Sequence, residues 1–197
     1  VGIRNGEIIT GKTSPVVDDP AGGVANCLAE AGTDLRAVEV FLHGSTIAIN
    51  TVLERKGACA AILTTEGFRD VYAIGRSNRP EGFNLEFERP KPLVARHLSF
   101  EVAERLNAKG EILVPLDEAA VEALAATLNG SGVEAIAICF LHSHANPVHE
   151  KRAGEILACA CSDIFVTQSS DILREYREYE RMSTTALNAY VGPRVKK

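Results

Sequence analysis

Cys59-Ala60-Ala61-Ile62-Leu63-Thr64-Thr65-Glu66-Gly67 reads as an apolar strand that ends in small polar residues and hands over to a short helix with Phe68, Val71, Tyr72 and Gly75 on one face. A strand apolar at successive positions is covered on both faces of its sheet, because alternation is needed only where one face meets water. The same grammar stands before it. Val38-Glu39-Val40-Phe41-Leu42 ends in His43-Gly44-Ser45-Thr46, and a helix from Ile47 to Lys56 stops at Gly57. The grammar returns when Asp117 caps a helix carrying Val121, Leu124, Ala125 and Leu128, followed by a strand from Ala135 to Leu141. Asn146-Pro147 then opens a helix that buries Ala153, Ile156, Leu157 and Ala160, and a strand follows at Ile164-Phe165-Val166-Thr167. Alternating strands and helices predict an α/β fold with a mixed, largely parallel sheet and helices on both faces.

The ends of the chain depart from this alternation. Gly2-Ile3-Arg4 and Ile8-Ile9-Thr10 flank Asn5-Gly6, a pair suited to a hairpin turn, and Asp19-Pro20 starts a helix that runs to Gly32. After Ser169-Ser170-Asp171 a final helix is predicted from about Arg174 to Tyr190, ending at Gly192-Pro193. Within it, Arg174-Glu175-Tyr176-Arg177-Glu178-Tyr179-Glu180-Arg181 reads as a solvated face with ion pairs such as Arg174 with Glu178. Residues 77–115, with Pro80, Pro90, Pro92 and Pro115, form an extended excursion with strands at Leu98 to Val102 and Ile112 to Val114. It is longer than the roughly 12 to 15 residues of an ordinary loop.

Composition narrows the class of function. The 197 residues are 46% hydrophobic and 24% charged with a net charge of −5, which suits a folded domain and argues against nucleic-acid or membrane-surface binding. There is no apolar run of about 18 residues, and the first residues are not a signal peptide, so a cytoplasmic protein is expected. The five cysteines, odd in number and without a C-x-x-C pair, are read as reduced core residues. His142, His144 and His149 match no metal-ligand spacing and are assigned capping and solvent roles, with no metal site expected.

Ligands of open parallel sheets gather at the carboxyl ends of the strands, where helix N-termini offer unpaired N–H groups to anions. His43-Gly44-Ser45-Thr46, Thr64-Thr65-Glu66-Gly67 and Ser169-Ser170-Asp171 all present small donors there, suited to phosphate or carboxylate. Ser, Thr, Asp and Gly are equally the ordinary residues of caps and turns, so both readings stand at this point.

The motifs in order carry a resemblance. His43-Gly44-Ser45-Thr46-Ile47-Ala48-Ile49-Asn50-Thr51-Val52-Leu53-Glu54-Arg55-Lys56-Gly57, Leu63-Thr64-Thr65-Glu66-Gly67-Phe68-Arg69-Asp70 and Ile74-Gly75-Arg76 resemble the N-terminal region of the hydantoinase A and 5-oxoprolinase family. Arg79-Pro80, Pro90-Lys91-Pro92-Leu93-Val94, Glu101-Val102-Ala103-Glu104-Arg105 and Asn146-Pro147-Val148-His149-Glu150 continue it. Arg177-Glu178-Tyr179-Glu180-Arg181 and Leu187-Asn188-Ala189-Tyr190 extend it over nearly the whole chain.

The resemblance implies a ribonuclease-H-like, actin-like ATPase fold, here lacking its first strand and the phosphate loop of the form Asp-x-Gly-Gly-Thr-x-Thr-Asp. It implies a single truncated N-terminal domain over residues 1–197, with the excursion at about 77–115. The expected activity of the parent is ATP-dependent hydrolysis of a cyclic amide. The alternatives are the ATP-using subunit of an acetone- or acetophenone-type carboxylase, or a non-catalytic assembly module with the excursion as subunit contact. Phosphorylating the oxygen of an amide or ketone turns a poor reactant into a reactive one, and such chemistry rests on positioning and charge neutralisation. On that basis His43 and Thr46 are the candidate catalytic residues. Gly44, Ser45, Asn50, Thr65, Gly67 and Arg76 are the candidate substrate- or phosphate-binding ones. ATP and Mg²⁺ are expected in the full-length parent and not on this piece alone. The expected partners are the rest of the parent chain, a companion hydantoinase-type subunit and a small cyclic amide.

Overall fold

The computed structural model describes every residue except Asn5, Pro15, Val17, Asp18, Ser77, Arg79 and Lys197, so the Asn of the expected Asn5-Gly6 turn and Arg79 of Arg79-Pro80 lie outside the described residues. The residues group into two compact units, Val1–Ser45 and Thr46–Lys197.

In the first unit, β1 (Gly2–Arg4) and β2 (Glu7–Ile9) pair antiparallel, with Gly6 at a φ of +84° in the turn between them. Helix α1 (Pro20–Glu30) is capped as expected, the Asp19 carboxylate accepting from Gly22 N at 2.9 Å. Arg4 Nη2 donates to Gly32 O at 2.7 Å, fastening the hairpin to the end of α1. The strand expected at Val38–Leu42 does not form: Val40 and Leu42 are 74% and 90% exposed, and no described strand pairs with this segment. A strand exists only through the neighbour that takes its backbone groups, so apolar patterning alone does not make one.

The second unit holds the main core. Its sheet has four parallel strands in the order β4 (Ser99–Val102), β3 (Ala60–Thr65), β7 (Ala135–Cys139), β8 (Phe165–Gln168). All six residues of β3 and all five of β7 are buried, the doubly covered state that their unbroken apolar runs require. One face packs Leu63, Ile136, Ile138 and Phe140 against α4 (Glu118–Leu128) and α5 (Val148–Ala160) through Val121, Ala125, Leu128, Ala153 and Leu157. The other packs Ile62, Ala135 and Ala137 against Met182, Ala186 and Ala189 of α7 (Glu178–Val195). The expected α/β class, with helices on both faces of a parallel sheet, is the one observed.

The excursion divides in two. Its expected strand near Leu98 to Val102 is β4, the edge strand of the main sheet, and its strand Ile112–Val114 (β6) pairs antiparallel with β5 (Arg105–Leu106). Helix α2 covers Ile47–Leu53, shorter than expected, and Arg55 beyond it has φ +56°. Asp117 caps α4 by accepting from Ala120 N at 3.0 Å, whereas Asn146 accepts from Val148 N at 3.1 Å and α5 starts only at Val148.

Two glycines serve contact. Helix α7 runs through Gly192-Pro193 instead of ending there, because Gly192 lies against the Phe165 ring, where an added Cβ would sit 2.5 Å from Cε1. Pro193 falls in the last turn of α7, where it removes the N–H that would otherwise bond the Ala189 carbonyl. At Gly57 a Cβ would sit 2.1 Å from Cε1 of Tyr190, whose ring is 6% exposed and has no room to yield. Gly57→Ala is therefore expected to destabilise the fold by about 1–3 kcal/mol, the usual cost of overpacking. At roughly 2–4 °C per kcal/mol for a chain of this size, a calorimetric melt should read a drop of about 2–12 °C. An unchanged melting temperature would contradict the contact.

Candidate functional site at the carboxyl edge of the sheet

β3, β7 and β8 are parallel, so their carboxyl ends meet at one edge. There the chain buries an unusual number of polar groups, among them Thr65, Glu104, Ser143, His149, Glu150, Ser169, Ser170 and Arg181. Burying such groups is tolerable only if each finds a partner.

Glu150 on α5 is fully buried. One carboxylate oxygen accepts from Phe140 N at 2.9 Å and from Ser169 Oγ at 2.6 Å, and the other from Ser170 N at 2.8 Å. Ser169 and Ser170 open α6 (Ser169–Ile172), directly after β8. Arg181 on α7, 1% exposed, donates through Nε to Ser169 Oγ at 2.9 Å, through Nη2 to Phe140 O at 2.5 Å and through Nη1 to Glu175 O at 2.9 Å. The Ser169 hydroxyl thus bridges a buried carboxylate and a buried guanidinium. A second buried pair lies at the β3 end. Thr65 Oγ1 accepts from Leu141 N at 2.9 Å and bonds Glu104, whose other oxygen takes the His149 Nδ1 hydrogen bond at 2.8 Å.

Three sequence readings are corrected here. Arg181 is not on a solvated face: it is the counter-charge that buried Glu150 demands. Arg174 does not pair with Glu178 but donates to Ser170 O at 2.9 Å, and α7 begins only at Glu178. His149 is a core residue paired with Glu104, so its role is neither capping nor solvation. Among the cysteines only Cys139 and Cys161 are buried, while Cys59 and Cys159 are exposed.

Beside this saturated network stand groups with unused capacity. His142 adopts φ +57°, a conformation rare for a residue with a side chain, and its carbonyl accepts from Ala145 N at 2.9 Å to close the turn after β7. The rings of His142 and His144 have centroids 6.0 Å apart. His144 Nδ1 and Ser170 Oγ are buried with no hydrogen-bond partner among the described residues. Burial, with Arg181 and His142 adding positive charge nearby, holds the His144 imidazole below the usual histidine range. A neutral imidazole and a hydroxyl at a strand edge can donate to or accept from a polar group.

The residues singled out from the sequence fall into two sets. His43, Gly44 and Ser45 close the first unit as exposed, irregular chain, with the His43 ring stacked on Phe41 at 6.3 Å. Thr46 precedes α2, and its Oγ1 accepts from Asn50 Nδ2 at 3.4 Å. In the second unit, Thr65 is closed in by Glu104. Gly67, at φ +84°, gives its N–H to Glu101 Oε1 at 2.7 Å, and Arg76 is ion-paired with Glu180 on α7. Each of these three anion-friendly groups already holds a carboxylate of this chain. A phosphate bound by any one of them would have to displace that carboxylate, so these three groups do not present an open phosphate cradle. The signals that sequence reading missed were Glu104 and Glu150, acidic residues beside apolar runs whose burial calls for partners elsewhere.

Residues 1–161 match the hydantoinase/oxoprolinase N-terminal region. An uncharacterised protein of Methanocaldococcus jannaschii is 40% identical over 89% of this chain and 26% of its own length. Caprolactamase subunit alpha of Pseudomonas jessenii is 33% identical over 86% of this chain and 25% of its own length. The crystal structure of that ATP-dependent caprolactamase superposes with a TM-score of 0.80 at 29% identity, over 94% of this chain and 28% of the other. Nucleotide-free acetone carboxylase, described for ATP-dependent acetone carboxylation, superposes at 0.79 with 28% identity, over 93% of this chain and 29% of the other. The chain spans about a quarter of the length of these relatives.

The lowered pKa of His144 gives stability a sign. An imidazole harder to protonate in the folded state than in the unfolded one contributes stability above its unfolded value, about 6.5, and loses it as pH falls through the folded value. Urea unfolding at pH 7, 6 and 5 should show stability declining toward acid, with a shallower decline in His144→Gln. Equal slopes in the two proteins would remove His144 from the account.

Proposed function

Because this chain belongs to the hydantoinase/oxoprolinase N-terminal family, we propose that it is the N-terminal domain of an ATP-dependent amidohydrolase that opens a cyclic amide. The observation that carries this reading is the likeness to an ATP-dependent caprolactamase in both sequence and structure, 33% identical to its alpha subunit with a TM-score of 0.80. Acetone carboxylase superposes almost as well, at 0.79, and supports a second reading in which the parent is the ATP-using subunit of a carboxylase. In both, the chain belongs to the actin-like ATPase type and works in the cytoplasm with a companion subunit. Among the described residues no helix is long and apolar enough to cross a membrane.

ATP and Mg²⁺ belong to the parent in this reading, with phosphoryl activation of the amide oxygen as the chemistry they supply. The anion-friendly groups of the second unit are engaged by Glu101, Glu104 and Glu180, so the contribution of this chain rests on the stretch His43, Gly44, Ser45 and Thr46 with Asn50. Among the described residues nothing lies within 4 Å of a Cβ added at Gly44, which leaves its backbone open to close approach. His43 serves as acid, base or hydrogen-bond donor, and Thr46 as a hydroxyl donor toward developing negative charge.

The test uses the parent enzyme with its companion subunit, assayed for ATP-dependent opening of caprolactam and 5-oxoproline and for bicarbonate-dependent carboxylation of acetone. Ring opening without bicarbonate favours the hydrolase, and strict bicarbonate dependence the carboxylase. His43→Ala or Thr46→Ala should lower turnover at least tenfold, a change of about 1.4 kcal/mol, with the melting temperature nearly unchanged. Normal turnover with a lowered melting temperature would make the stretch a structural turn.

A further inference from the structure

The segment between α3 (Val71–Ile74) and β4 carries a tip, residues 81–89, whose backbone is organised while its apolar side chains face water. Asn84 N donates to Glu81 O at 3.2 Å and Phe87 N to Asn84 O at 3.4 Å, forming two consecutive turns. The Asn84 side chain braces both, its Nδ2 donating to Glu81 Oε2 at 2.9 Å and its Oδ1 accepting from Glu86 N at 3.0 Å. Arg89 fastens the base, Nη1 donating to Ala73 O at 2.8 Å and Ile74 O at 2.6 Å, where α3 ends. A tip ordered by its own hydrogen bonds loses little conformational freedom when it docks.

The outward residues give the tip its chemistry. Phe83 is 102% exposed and Leu85 89%, more than any other large apolar side chain on that segment. Beside them in the chain are the exposed residues Glu81, Glu86 and Glu88, while among the described residues of the tip the one cation, Arg89, is spent on the α3 carbonyls. An apolar knob flanked in the chain by exposed carboxylates is complementary to an apolar pocket rimmed by Lys and Arg. Three relatives are named as subunits: caprolactamase alpha, acetophenone carboxylase gamma and acetone carboxylase beta.

We propose that the Phe83–Leu85 tip docks into a basic-rimmed apolar pocket on the companion hydantoinase-type subunit. The proposal rests on the functional reading above for the existence of that subunit, and it names the surface that meets it. The apolar pair supplies the affinity and the carboxylates supply steering and register.

The test mixes the full-length parent with the purified companion subunit and measures association by calorimetry and stopped flow at low and high salt. Phe83→Asp with Leu85→Asp should weaken binding at least about 30-fold, equal to about 2 kcal/mol, and leave the melting temperature of the isolated parent unchanged. Glu81→Gln with Glu86→Gln and Glu88→Gln, which keeps an acceptor for Asn84 while removing the charge, should slow association and abolish its salt dependence. Wild-type affinity in the apolar double variant overturns the proposal, as does failure of the wild-type parent to bind. A lowered melting temperature of the isolated variant also overturns it, because the tip then packs on the parent's own chain. Loss of parent self-association assigns the tip to a second copy and overturns it equally. A wild-type complex that assembles but turns over none of the substrates contradicts the functional reading and leaves the docking intact.

Discussion

A carboxylate with no access to water, Glu150, organises the carboxyl edge of this sheet. Its three hydrogen bonds reach the end of β7 through Phe140 N and the start of α6 through Ser169 and Ser170. Arg181 answers it from α7 through the Ser169 hydroxyl and also ties down Phe140 O. Four elements that share no continuous stretch of chain are thereby fixed at one point. Two buried charges are costly to desolvate, and only complete pairing offsets the cost, so the network holds when whole and fails when any member is removed. Thr65, Glu104 and His149 repeat the device at the β3 end.

This edge is where parallel sheets ordinarily receive ligands, and most of its donors have been turned inward. Glu101 takes the Gly67 N–H, Glu104 the Thr65 hydroxyl and Glu180 the Arg76 guanidinium. The edge therefore acts as a rigid platform. Groups with unused hydrogen-bonding capacity remain at its margin in His144 and Ser170, and the stretch from His43 to Thr46 stays exposed.

What could be read from the sequence was what depends on near neighbours. Asp19 and Asp117 cap their helices as their spacing indicates, and the unbroken apolar runs of β3 and β7 announce double burial. The failures share a different cause. Val38 to Leu42 has the composition of a strand but no described neighbour to pair with, and pairing cannot be read from one segment. Arg181 sits among alternating charges that look solvated, and only Glu150, on another helix, makes its burial acceptable. Gly192 looked like a helix stop because its real reason, the Phe165 ring, lies across the fold.

The central claim is that Glu150 and Arg181 act as one buried unit. A double-mutant cycle with Glu150→Met and Arg181→Met, read by urea unfolding, tests it most directly. Each single change leaves an uncompensated buried charge and should cost about 3–5 kcal/mol, while the double change should cost far less than their sum. Additive losses in the double variant would show that the two side chains are stabilised independently and would contradict the account.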